Sequence, residues 1–126
     1  MSYDIRICDK GTYETVTLPE RHYLGGGTFA IDGTPEAWLN VTYNYGEFYY
    51  DLMDEDKGIR AIYGIPLKDA IGLLDSTIAK LGTEPPDDDY WKSSPGNARK
   101  ALENLRDLAK ACIAAYPDRE MEFQGD

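Results

Sequence analysis

The stretch Glu36-Ala37-Trp38-Leu39-Asn40-Val41-Thr42-Tyr43-Asn44-Tyr45, residues 36–45, decides the fold predicted for this chain. Side chains along it alternate in character, with Ala37, Leu39, Val41, Tyr43 and Tyr45 on one side and Trp38, Asn40, Thr42 and Asn44 on the other. Alternation in β-branched and aromatic residues indicates a strand with one buried face and one polar face. We therefore predict a strand over 36–45 and expect it to be the central strand of a sheet.

The start of the chain predicts an N-terminal β-hairpin. Residues 3–8 and 13–18 both show an extended pattern, and Asp9-Lys10-Gly11 between them suits a tight turn. We expect Pro19 to end the second strand, because proline has no N–H to donate to a neighbouring strand.

A second hairpin is predicted around the turn sequence Asp32-Gly33-Thr34-Pro35. Residues 28–31 before this turn are strand-like, so they should pair antiparallel with the strand that follows it. The strand at 36–45 then forms the second arm of this hairpin.

Two long helices are predicted in the second half of the chain. Apolar residues recur at helical spacing over 67–81, and Gly82 suits the left-handed residue that ends a helix. Ser94-Pro95 is typical of a helix start, and Pro117 should end the second helix. Between the strands and the helices, residues 59–64 read as a short helix or connector.

These elements predict an α+β protein: a single domain over residues 1–126, with an antiparallel sheet of about four strands, in two hairpins, packed against two long C-terminal helices. Met121 and Phe123 alternate with charged or polar residues, which predicts a short final strand along the sheet edge. The length of 126 residues and the hydrophobic fraction of 42% suit one core.

The net charge of −10 restricts the partners of the protein. Direct binding to nucleic acid or to an anionic membrane needs Lys and Arg, so we expect neither and favour a basic partner. Solubility alone is the competing explanation for the charge. No apolar run approaches the ~20 residues that cross a bilayer, and Met1–Arg6 lacks the features of a signal peptide, so we expect a cytoplasmic protein.

No motif in the sequence predicts catalysis, a cofactor or a metal. Cys8 and Cys112 have no ligand spacing and are expected to be small buried residues. His22, the single histidine, has no nucleophile or ligand set in its pattern, and 87–89 lack the alternating ligands of a calcium loop. We expect a protein that is not an enzyme.

Two segments, 47–56 and 84–89, carry only acidic charges beside aromatic residues. Such segments suit binding to a basic groove, with the charges guiding encounter and the rings supplying contact energy. The alternative is that the aromatics fill the core while the acids are solvated. The residues predicted to bind a partner are Tyr49, Tyr50, Asp51, Asp54, Glu55, Asp56, Asp87, Asp88, Asp89 and Tyr90.

The polar face of the strand at 36–45 supports a second hypothesis. An indole beside a row of amide and hydroxyl groups could bind a small heterocyclic, nucleotide-like ligand, unless the row is covered and satisfied internally. These residues are Trp38, Asn40, Thr42 and Asn44. A third hypothesis is a structural role as a homodimer joined through an open sheet edge.

From about Gly26 onward, the chain resembles a group of small uncharacterised proteins of bacterial phages and mobile elements. The resemblance implies no activity and no site residues. It implies a context in which small acidic proteins bind and block host defence proteins, such as CRISPR nucleases or restriction enzymes, whose nucleic-acid grooves are basic. The residues that carry it are 36–45, Gly58-Ile59-Arg60, Asp89-Tyr90-Trp91, Gly96-Asn97-Ala98 and Gly125-Asp126.

Overall fold

The structure, a computed structural model, describes residues 1–23 and 33–126, and these form an α+β fold with five strands and three α-helices. The strands are β1 (Ser2–Asp9), β2 (Thr17–His22), β3 (Thr34–Glu36), β4 (Trp38–Thr42) and β5 (Met121–Gly125). The helices are α1 (Gly46–Leu52), α2 (Leu67–Lys80) and α3 (Pro95–Ala115), and 3-10 helices cover Tyr43–Tyr45 and Gly58–Ile62. The predicted α+β class is confirmed, but the described strands form two antiparallel sheets rather than one sheet of four.

The central strand of the larger sheet is β1. It pairs antiparallel with β4 on one side and with β5 on the other, so that Ile5 lies opposite both Leu39 and Gly125. The expectation that 36–45 supplies the central strand is therefore wrong, because β4 lies at one side of the order β4-β1-β5. Alternation shows which face of a strand is buried, but it does not show which strands lie beside it.

The stretch 36–45 is also divided among several elements. Glu36 ends β3, β4 ends at Thr42, and the next three residues form a 3-10 turn. The Thr42 hydroxyl accepts a hydrogen bond from the Asn44 N–H at 3.2 Å, which competes with continuation of the strand. Tyr45 is fully buried, as the alternation predicts, whereas Tyr43 is only half-buried. Asn40 and Thr42, predicted on the polar face, are buried as well.

The predicted N-terminal turn is present. The Asp9 N–H donates to the Glu14 carbonyl at 2.9 Å, and the Val16 N–H donates to the Ile7 carbonyl at 2.9 Å. The local pairing is short, however, and β2 forms its ladder with β3 instead of with β1.

Pro19 lies inside β2, so the expectation that it ends the strand is wrong. The ladder of β2 meets β3 at Thr17, opposite Glu36, and at His22, opposite Thr34, with an irregularity between them. Pro19 therefore sits where the register is interrupted, and its missing N–H removes no ladder bond.

The predicted second hairpin is only partly described. Gly33 has a φ of +72°, which suits the predicted turn, but Thr34–Glu36 belongs to β3 instead of to the turn. The predicted strand at 28–31 lies outside the described residues.

Both long helices are where the sequence predicts them. Gly82, with a φ of +84°, follows α2, and the Ser94 hydroxyl caps α3 by accepting the Asn97 N–H at 3.2 Å. The predicted final strand is confirmed as β5. It pairs with β1 and lies at one edge of the order β4-β1-β5. The chain therefore crosses from the helices back to its first strand.

One hydrophobic core joins the larger sheet to the helices. Helix α2 packs on α3, and β5 contacts α2. Both cysteines, Cys8 and Cys112, are fully buried as expected, and burial raises the pKa of the Cys112 thiol to about 12. The largest fully buried side chains include Ile5, Ile7, Leu39, Leu74, Leu102, Leu105, Leu108 and Phe123.

Candidate functional site

Helix α1 places its two faces in opposite environments. Tyr45 and Tyr49 lie one helical turn apart and are both fully buried, while Glu47 and Asp51 are exposed. The Tyr49 hydroxyl donates to the Ala98 carbonyl of α3 at 2.9 Å. Tyr49 is therefore a core residue, and its predicted role as an exposed partner-binding ring is wrong.

The turn that follows α1 is fixed by its own residues. One carboxylate oxygen of Asp54 accepts the N–H groups of Asp56 at 2.9 Å and Lys57 at 2.8 Å. These backbone bonds lower the pKa of Asp54, so its carboxylate is ionised at neutral pH. The ring of Tyr50 lies against Gly58, where a Cβ would come within 3.3 Å of it, and 37% of Tyr50 is exposed.

We define residues 47–56 as the α1 acidic segment. The turn at Asp54 orders its end, and its side chains carry only negative charge. It carries five carboxylates and no Lys or Arg. Within the described residues, none of the five lies in an ion pair of 4.0 Å or less. Their charges therefore add to a local negative potential. They are Glu47, Asp51, Asp54, Glu55 and Asp56.

The second predicted acidic segment, 84–89, is different because its carboxylates support the local fold. Asp87 pairs with Lys92 at 3.1 Å and accepts the Asp89 N–H at 2.9 Å. The Asp89 carboxylate accepts the Trp91 N–H at 3.1 Å. The bonds from Asp89 and Lys92 lower the pKa of Asp87. Of the three aspartates, Asp88 is exposed and makes none of these contacts.

Tyr90 is half-buried beside the start of α1. Its ring meets the Tyr45 ring edge to face at 5.8 Å, and its carbonyl accepts the Tyr45 hydroxyl. Trp91 next to it is 50% exposed, and its carbonyl accepts the Asn44 side-chain amide at 2.7 Å. Tyr90 is thus a packing residue, while Trp91 presents the more exposed ring.

Asn97, in the first turn of α3, is the residue that organises this loop. Its side-chain amide donates to the carbonyls of Asp89 at 3.0 Å and Lys92 at 2.9 Å, and its oxygen accepts the Asp87 N–H at 2.9 Å. The sequence reasoning used Asn97 only in the resemblance. A polar residue three positions after the Ser94 cap was the available signal.

The cations around α3 are largely compensated. Arg99 pairs with Glu103 at 3.3 Å, as its helical spacing predicts. Arg106 pairs with Asp107 at 3.1 Å and Asp75 at 3.5 Å instead of with Glu103. With Lys92 bound to the loop, three of the five Lys and Arg residues in 92–110 pair with carboxylates.

The polar face of β4 is mostly satisfied internally. The Asn40 amide donates to the Ser2 hydroxyl at 2.6 Å and to the Asp4 carboxylate at 2.7 Å, which uses both of its protons. Thr42 caps the 3-10 turn, and Asn44 is bound to the loop at Trp91, as described above. Trp38 is half-buried at a shallow groove. The predicted row of free polar groups is therefore absent at Asn40, Thr42 and Asn44.

The single histidine, His22, lies in the smaller sheet. His22 places its Nε2 at 2.7 Å from the Glu36 carbonyl and so joins β2 to β3. Residues 1–23 and 33–126 contain no group of three His, Cys, Asp or Glu side chains arranged to hold a metal ion. None of the helices described here has the length and apolar character needed to cross a bilayer.

Comparisons of the chain with protein-family models, with curated proteins and with solved structures each found no significant match. The resemblance to small phage and mobile-element proteins therefore stays a prediction.

Proposed function

We propose that this protein is a non-enzymatic interaction protein whose α1 acidic segment binds a basic surface of a nucleic-acid-handling protein. The observation that carries the proposal is the ordered turn at Asp54, in a segment whose carboxylates form no ion pair of 4.0 Å or less within residues 1–23 and 33–126. Two lysines lie close to this segment: Lys57 follows it, and the Lys80 ammonium donates to the Leu52 carbonyl at 3.4 Å. The resemblance to phage and mobile-element proteins supplies the context, a host defence protein in the bacterial cytoplasm as the target.

Electrostatics gives this surface its selectivity. Proteins that bind nucleic acid carry basic grooves, and a chain with a net charge of −10 is attracted to them at long range. The contact energy of such an interface comes largely from aromatic rings that lose their water on binding. Tyr50 is the exposed aromatic residue of the α1 acidic segment. An occupied groove cannot bind nucleic acid, so binding would block the target.

Burial and local hydrogen bonds guide which residues we propose as partner contacts. Tyr49 and Tyr90 pack within the protein, while Asp87 and Asp89 hold the loop before α3. The partner-contacting residues proposed here are Tyr50, Asp51, Glu55 and Asp56, with Asp88 and Trp91 as further exposed candidates. Asp54 is left out because its carboxylate holds the turn.

The test uses two variants that each lose three negative charges. Asp51→Asn, Glu55→Gln and Asp56→Asn together neutralise the α1 acidic segment, while Glu14→Gln, Glu20→Gln and Asp118→Asn neutralise exposed acids elsewhere. Each full-length protein is immobilised and exposed to a nuclease-treated bacterial lysate at low salt. Bound proteins are eluted with NaCl and identified, and the recovered protein is assayed for DNA binding.

We expect the wild-type protein to retain a nucleic-acid-binding protein, to release it as salt rises, and to inhibit its DNA binding. The control variant, with Glu14, Glu20 and Asp118 neutralised, should behave in the same way. The variant with Asp51, Glu55 and Asp56 neutralised should neither retain that protein nor inhibit its DNA binding, because it lacks the negative charges that attract a basic surface. Equal retention by the two variants would show that another surface binds. Failure of the wild-type protein to retain any nucleic-acid-binding protein would overturn the proposed function.

A further inference from the structure

An apolar pocket of about 250 Å³ opens between the start of α2, the end of α3 and β5. It is lined by residues outside the α1 acidic segment and outside the loop before α3. Its apolar wall includes Ile65, Leu67, Ile113 and Met121. Leu67 and Met121 are buried, while Ile65 and Ile113 are half-buried at the opening.

The strand pairing explains why the pocket exists. The Gly64 N–H donates to the Phe123 carbonyl at 3.0 Å, and Pro66 bridges to Glu122, which fixes the entry to α2 along β5. Successive side chains of a strand point to opposite faces. Phe123 is in the core, whereas Glu122 accepts a hydrogen bond from Gln124 at 2.6 Å on the other face. Glu122 also lines the pocket, and this bond holds its carboxylate beside Gln124.

The rim of the pocket carries more positive than negative side chains. Lys10, Lys68 and Arg119 line it, together with Glu120 and Glu122. Arg119 pairs with Asp9, and its guanidinium carbon lies 4.3 Å from the centre of the Tyr116 ring.

The two lysines on the rim differ from Arg119. Lys10 and Lys68 are exposed and, within the described residues, have no carboxylate within 4.0 Å. An apolar pocket with free ammonium groups at its mouth is unexpected on a chain with a net charge of −10. It has the chemistry to bind an amphiphilic anion.

We propose that this pocket binds a small aliphatic carboxylate, with its hydrocarbon chain against Ile113 and Met121 and its head group at Lys10 and Lys68. Burial of the chain supplies the affinity, and the lysines select the anionic head group. This inference is independent of the proposed function, because the α1 acidic segment takes no part in it.

The experiment measures the affinity of full-length protein for butanoate, hexanoate and octanoate by NMR, with the Met121 methyl group as the reporter. Each added methylene should tighten binding about fourfold until the pocket is filled. Octylamine, which has the same chain and the opposite charge, should bind about fivefold more weakly than octanoate. Binding that does not depend on chain length, or that is equal for the acid and the amine, would overturn the proposal.

Charge reversal provides the matched control. The double variant Lys10→Glu and Lys68→Glu should invert the preference, so that octylamine binds more tightly than octanoate. Lys100→Glu and Lys110→Glu, which change two exposed lysines outside this pocket by the same charge, should keep the wild-type preference. Ile113→Phe should weaken all ligands by narrowing the pocket. If both double variants lost octanoate binding equally, the preference for the acid would come from the net charge of the protein alone. That result would overturn the role of Lys10 and Lys68.

Discussion

Tyr49 and Tyr50 are adjacent in sequence but have opposite roles. Tyr49 is fully buried and its hydroxyl is bound to α3, whereas Tyr50 is 37% exposed over Gly58. Residues one turn apart on a helix, such as Tyr45 and Tyr49, lie on the same face, which is the buried face of α1. Tyr50 is the next residue along the chain and lies on a different face. Tyr49 therefore has a role in stability, and Tyr50 is left for the proposed role in binding.

Removal of each hydroxyl tests this assignment. Tyr49→Phe should lower the free energy of unfolding by about 1 kcal/mol, because it deletes a buried hydrogen bond. Tyr50→Phe should change it by less than about 0.5 kcal/mol. Urea unfolding followed by circular dichroism measures both values. A loss at Tyr50 as large as at Tyr49 would contradict the assignment.

The aspartates show what could be predicted at the residue scale. Counting charges located the acidic segments, but it treated Asp54, Asp87 and Asp89 as free partner-binding groups. In the structure each accepts a backbone N–H two residues ahead. Aspartate readily forms such local turns, so the signal was present in the sequence. The sequence could not show which carboxylates are left without a backbone N–H to accept, because that depends on the conformation of the completed turn.

At the scale of elements, the loop between α2 and α3 depends on one side chain. Asn97 is 5% exposed and binds three backbone groups of the loop within 3.0 Å. Gly96 beside it has no room for a side chain, since a Cβ would come within 2.3 Å of the Pro85 carbonyl. The loop is thus packed directly on the first turn of α3.

Two substitutions at this helix start should differ in effect. Asn97→Ala should lower the free energy of unfolding by about 3 kcal/mol, since three hydrogen bonds to partly buried backbone groups are lost. Ser94→Ala should cost about 1 kcal/mol, the usual value for loss of an N-cap. Urea unfolding of both variants gives the comparison. A smaller effect at Asn97 than at Ser94 would show that water replaces the side-chain amide.

Helices were easier to predict than strand neighbours for a physical reason. The limits of α2 and α3 follow from local signals such as Gly82 and Ser94, which act within a few residues. The neighbours of β1 include β5, which follows the whole helical region in sequence. Periodicity within 36–45 could report a buried face but carried no information about that distant strand.

At the scale of the whole molecule, negative charge exceeds positive charge by ten. The five ion pairs found within residues 1–23 and 33–126 lie mostly at the surface, where each contributes little to stability. Repulsion among the remaining carboxylates opposes compaction. The same excess that attracts a basic partner therefore lowers the stability of the free protein.

Salt should consequently stabilise the protein. We expect the melting temperature to rise as NaCl is increased to about 0.5 M, because screening weakens long-range repulsion more than it weakens a few surface ion pairs. The variant that neutralises Asp51, Glu55 and Asp56 should melt higher than wild type at low salt and respond less to added salt. Differential scanning calorimetry measures both trends. A melting temperature that falls with salt would show that ion pairs outweigh repulsion.

The pairing of β1 with β5 determines when the protein can fold in the cell. Ile5 and Ile7 leave the ribosome long before their neighbours Gly125 and Phe123 have been translated. Until then the nascent chain has an incomplete sheet whose unpaired edge can join other chains. Completion of this sheet must therefore wait for synthesis of β5, and a chaperone that shields the first strand should raise the yield of native protein.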